Sequence, residues 1–102
     1  MDSTKLSSEL QNFLDGEGRL TIYPAKQRYK VLSLFYLASK FQMDRVYTEK
    51  EVNHVLKSWH TFGDWAMLRR DLYDKFFLGR EADCSAYWLE EIQPTFASFG
   101  LV

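Results

Sequence analysis

Two histidines, one cysteine and scattered serines and carboxylates are the residues of this 102-residue chain that could carry metal or covalent chemistry. None has the spacing that such chemistry needs. His54 and His60 would fall on nearly opposite sides of one α-helix, and no HExxH or CxxC accompanies them, so no metal centre is expected. Cys84 is the only cysteine, which leaves no internal disulfide and no thiol cluster, and no histidine pairs with it in the sequence. The serines lack a GxSxG elbow. DGEGR supplies only GxG and opens no βαβ unit, and Glu90-Glu91 reads as a solvated strand end and not as an acid/base couple. No catalytic residue, cofactor or small-molecule substrate is assigned on this pattern. The chain reads as a domain that works by binding.

Charge is the remaining signal. The net charge is −1, yet residues 24–50 carry six basic side chains against two acidic ones, while residues 64–102 carry four against seven. The basic group includes Lys26, Arg28, Lys30 and Lys40, and a second pair, Arg69-Arg70, stands in the acidic half. Arginine can pair with guanine and lysine with phosphate, so Arg69, Arg70, Lys26, Arg28 and Lys30 are the candidate nucleic-acid contacts. Asp64, Asp71, Asp74, Glu81 and Asp83 would repel phosphate from the same half, which counts against autonomous DNA reading and favours a protein partner or self-association. DNA contact within an assembly stays open.

Apolar periodicity indicates the elements that hold these residues. Leu6, Leu10, Phe13 and Leu14 recur at helical spacing, and Arg19 to Tyr23 alternates toward a short strand. Pro24 fits the opening of a second helix running to about Phe41, apolar over most of its circumference. Thr48 with Glu51 makes a capping box ahead of the stripe Val52, Val55, Leu56 and Trp59, and Arg45-Val46-Tyr47 is β-prone. HTFG at 60–63 breaks the pattern. Asp64 then caps a fourth helix with an inward stripe of Trp65, Leu68, Leu72 and Phe76, ending near Phe77 and Leu78 with Gly79 as its stop. On this phasing Arg70, Asp71 and Asp74 face solvent. Arg69 lies at the flank as a structural residue whose guanidinium reaches an acidic group or a carbonyl at the hairpin, where Glu81 is the nearest candidate in sequence. A hairpin from 78–81 to 86–89 turns at Ala82-Asp83-Cys84-Ser85. After Pro94, Phe96, Phe99, Leu101 and Val102 need a covering surface, and they are the candidate interaction surface unless they fold back on their own chain.

The expected fold class is therefore α+β and mainly helical: a winged-helix-like three-helix core with a C-terminal β-hairpin and an extra N-terminal helix. One domain, 1–102, divides into an N-terminal helix and short strand at 1–23, the core at 24–90 and the apolar tail at 91–102. No apolar run is long enough to span a bilayer and the start lacks a secretory signal, so a cytoplasmic setting is expected. At YPAKQRYKVL, VYTEKEVN, LRRDL and Tyr87-Trp88 the chain resembles the bacterial family known as domain of unknown function 2087, over roughly residues 13–90. That resemblance implies a link to winged-helix transcriptional regulators of the ArsR type and brings no reaction, ligand or catalytic residue. The hairpin tip Asp83-Cys84-Ser85 departs from the glycine-containing tip expected there.

Overall fold

The computed structural model describes residues 3–101. It is α+β and mainly helical, in the order α1 (Ser3–Glu9), α2 (Gln27–Ala38), α3 (Glu49–Trp59), α4 (Trp65–Asp74), β1 (Leu78–Arg80) and β2 (Tyr87–Leu89), with 3₁₀ turns at Gln11–Phe13 and Ala97–Phe99. No described helix is long and apolar enough to cross a membrane. The α2 helix buries Val31, Leu32, Leu34, Leu37 and Ala38, as its near-continuous apolar surface predicts. It opens at Gln27, not at Pro24. Lys26 is the N-cap, and the buried Pro24 belongs to the approach segment. Beyond Ala38 the chain tightens through i→i−3 bonds from Lys40 and Phe41, so Phe41 reaches the core from outside the helix.

The predicted capping box is present. Thr48 Oγ1 accepts from the Glu51 amide at 3.1 Å, and Glu51 Oε1 accepts from the Thr48 amide at 2.9 Å. Immediately before it, Tyr47 exchanges two 2.7 Å backbone bonds with Tyr87, laying one residue of extended chain beside the hairpin. Within the hairpin, β1 and β2 are antiparallel with Leu78 opposite Leu89, Gly79 opposite Trp88 and Arg80 opposite Tyr87. Gly79 is required there because an added Cβ would lie 2.4 Å from the Trp88 indole nitrogen and 2.0 Å from a Glu90 oxygen. The strand expected over Arg19–Tyr23 is reduced to Leu20. That residue bridges Leu14 on one side and His60 on the other, since the tight Asp15–Arg19 turn leaves too little extended chain for a longer ladder.

The largest departure is at the end of α4. Helical geometry stops at Asp74, and Phe76, at φ 70°, occupies the left-handed position where glycine is the usual residue. Its amide bonds to the Tyr73 carbonyl at 3.1 Å and that of Phe77 to the Leu72 carbonyl at 2.9 Å, the paired bonds of a Schellman turn. Helical spacing predicts Phe76 inward and Gly79 at the stop. Instead Phe77 takes the buried place, fully enclosed, and Phe76 turns outward.

The C-terminal segment packs on its own chain. The Phe35 ring lies 4.3 Å from Phe96, 4.8 Å from Phe77 and 5.8 Å from Phe99, centroid to centroid. Leu101 joins the cluster of Leu6, Leu10, Leu32 and Tyr36. Gln93 fastens the start of this segment by donating to the carbonyls of Phe77 and Glu90. Val102 lies outside the described residues.

Candidate functional site

The expected contacts fall in two groups that the fold treats differently. On α2 and at its two ends the basic side chains are largely occupied. Arg28 pairs with Glu9 at 3.1 Å, Lys30 sits 5.1 Å above the Tyr23 ring, and Lys40 stands 4.0 Å over Trp59 and 4.4 Å over Tyr36. Burial against those rings lowers the Lys40 pKa. Lys26 is exposed at the N-cap. These residues do not assemble into a continuous basic stripe.

On α4, Arg69 and Arg70 separate as the helical phase predicts: the Arg69 side chain is 18% exposed and that of Arg70 80%. Arg69 does not reach Glu81. It crosses to α3, donating to the Asn53 side-chain oxygen and pairing with Glu49 at 3.3 Å, because the helix pair brings that surface closer than the hairpin does. Arg70 has one distant partner, Asp74 at 3.7 Å. Asp71 is also not simply solvated. Its carboxylate accepts from the Tyr23 hydroxyl at 2.8 Å, and burial, followed by this bond, pushes the tyrosine pKa well above its ordinary value.

Between α4 and the hairpin lies a cleft of about 680 Å³. The helix supplies Ala66, Met67, Arg69, Arg70, Tyr73 and Asp74 to its lining, and the strands supply Arg80 and Tyr87. The Arg80 guanidinium lies 4.0 Å over the Tyr73 ring. The neighbouring Tyr87 hydroxyl, followed by lesser contributions that include Tyr73, raises the Arg80 pKa. Sequence reasoning did not select Arg80, Tyr73 or Tyr87. The available signal was cross-strand: a hairpin turning at 82–85 sets Arg80 opposite Tyr87.

A model of the family described as "Uncharacterized protein conserved in bacteria (DUF2087)" matches residues 19–89. The chain belongs to this family. No curated protein and no solved structure matches it. The DUF2087 match takes in α2 through β2 and thus every residue lining the cleft, while α1 and the segment after Leu89 lie outside it.

A second surface adjoins the hairpin. Phe76 is 72% exposed and Ile92 90%, and both line a hollow with Lys75, Pro94 and the edge of Phe99. Elsewhere the histidines have separate surroundings. His54 is exposed on α3, whereas His60 is buried, with Nδ1 donating to the Leu56 carbonyl at 2.5 Å and Nε2 accepting from the Asp64 amide at 3.0 Å. These two hydrogen bonds make His60 a brace of the α3–α4 corner.

Proposed function

We propose that the chain is a cytoplasmic, non-enzymatic winged-helix-type domain linked to bacterial transcriptional regulation, acting as a binding module whose target is another protein. The winged-helix reading is supported by the order of α2, Tyr47, α3, α4 and hairpin, with Tyr47 paired to Tyr87 as a short first strand against the hairpin's second. The observation that carries the choice of a protein target is Phe76. A bulky residue in a left-handed turn costs about 1–2 kcal/mol, and this one spends the strain on presenting a phenyl ring to solvent beside Ile92. Carboxylates at Asp74 and Glu91 flank these residues in sequence against the single cation Lys75, which suits a regulator presenting an apolar segment with a basic rim.

Direct DNA reading has less support. Arg70 is the only well-exposed arginine of α4, Asp74 sits beside it, and the exposed hairpin tip carries Glu81 and Asp83.

Two measurements test the proposal. Affinity capture from a bacterial extract should retain a transcriptional regulator on the wild-type chain and lose it on the Phe76→Gly, Ile92→Ser double variant. A regulator retained equally by both, or none captured, counts against the proposal. Titration with random duplex at low salt should give only weak binding. Tight, salt-dependent binding lost in Arg70→Ala would replace the protein-contact reading with direct DNA contact.

A further inference from the structure

The cleft between α4 and the hairpin has a charge balance that the protein-contact reading does not use. Arg69 is answered by Glu49 and Asn53 on α3, outside the lining. That leaves Arg70 and Arg80 facing the cleft with Asp74 its only carboxylate, 3.7 Å from Arg70. Among the described residues no carboxylate lies within ion-pair distance of Arg80. Its guanidinium is held in place by stacking on Tyr73, so the donor fork is oriented in advance. Tyr87 is buried, its amide and carbonyl both bonded to Tyr47, with Arg80 opposite it across the hairpin. The cleft volume falls within the usual range for small-molecule sites, and Ala66 and Met67 give it an apolar edge.

We infer that this cleft is a binding site for a small organic oxyanion, a carboxylate or phosphate monoester with a flat apolar body, held by Arg80 and Arg70. Guanidinium pairs carboxylate and phosphate oxygens bidentately, and the wall of Met67 and Tyr73 suits a ring or short chain behind the anionic group. The small anion is favoured over nucleic acid because an extended polyanion on this face also meets Glu81 and Asp83, whereas a compact one meets only Asp74. The site goes beyond the protein-contact reading and shares with the Phe76–Ile92 surface only the flanking Asp74, which neither set of variants touches, so the two succeed or fail separately.

The test is calorimetric titration of the full chain with phenyl phosphate and, separately, benzoate, which distinguishes the two oxyanion classes. At least one should bind saturably. Affinity should fall about tenfold or more in Arg80→Gln and severalfold in Arg70→Gln, with Lys26→Gln unchanged. Should Arg80→Gln not fold, Arg80→Lys takes its place: it keeps the charge, loses the fork and should still weaken binding severalfold. Failure of both probes to saturate, or affinity insensitive to the Arg80 variants, overturns the inference. So does duplex DNA that displaces the probe and binds more tightly than it.

Discussion

The two ends of α4 are built on opposite terms. At its start, the α3–α4 corner answers each polar group it uses: Asp64 caps the helix, His60 bonds to both sides of the turn, and Arg69 ties the first turns to Glu49 and Asn53. At its end, the junction with the hairpin places a phenylalanine in a glycine conformation, exposes it beside Ile92, and opens the cleft where Arg80 has no carboxylate partner among the described residues. Satisfied networks fix geometry, whereas strain and unpaired charge persist where a structure is used for something besides stability. The difference therefore assigns support to the corner and recognition to the junction.

Removing what holds the junction from beneath has the largest expected effect. Deleting residues 95–102 takes away Phe96 and Phe99 and uncovers Phe35 and Phe77, so stability should fall by about 3–5 kcal/mol, near the cost of truncating a buried aromatic. Because these rings pack within one chain, the loss in denaturant melts should not vary with protein concentration. A concentration-dependent loss would move the segment to an interface between chains. At the corner, Arg69→Ala should cost about 1.5–3 kcal/mol, as for hydrogen bonds to charged groups, while Arg70→Ala should leave the melting curve nearly unchanged. Equal effects from the two would erase the contrast between the faces of α4. The smallest effect has the opposite sign. Phe76→Gly should stabilise the fold by about 1 kcal/mol by relieving the left-handed strain, and a destabilised variant would mean that the ring contributes to packing after all.

The parts of this fold that were legible in the sequence are those whose partners are close along the chain. Thr48 and Glu51 form their box within one helical turn, and the hairpin turn at 82–85 needs only its flanking strands. Where the partner comes from another element, sequence proximity misleads. It pointed Arg69 toward Glu81, while the packing of α3 against α4 gave it Glu49 and Asn53. Phe76 was misread for a different reason: helical periodicity counts any phenylalanine at the right spacing as inward and has no term for a helix that ends one turn early. Of the two adjacent phenylalanines, the Schellman turn buries Phe77 in place of Phe76. The cleft residues Tyr73, Arg80 and Tyr87 come from three elements and converge only after the hairpin docks.

Leu20 gives the N-terminal segment a fixed place in the order of assembly. Its amide donates to the Trp59 carbonyl and its carbonyl accepts from Thr61, across the whole of α2 and α3, so these bonds close one of the longest loops in the chain. Such a loop cannot be closed profitably until the helices between have collapsed and His60 has set the corner. On the ribosome Leu20 emerges before its partners Trp59 and Thr61, while Leu6 and Leu10 can already pack on Leu32 and Tyr36 of α2. The Leu20 bridge must wait for α3 to be made, and this tie is thereby among the last parts of the fold to become native.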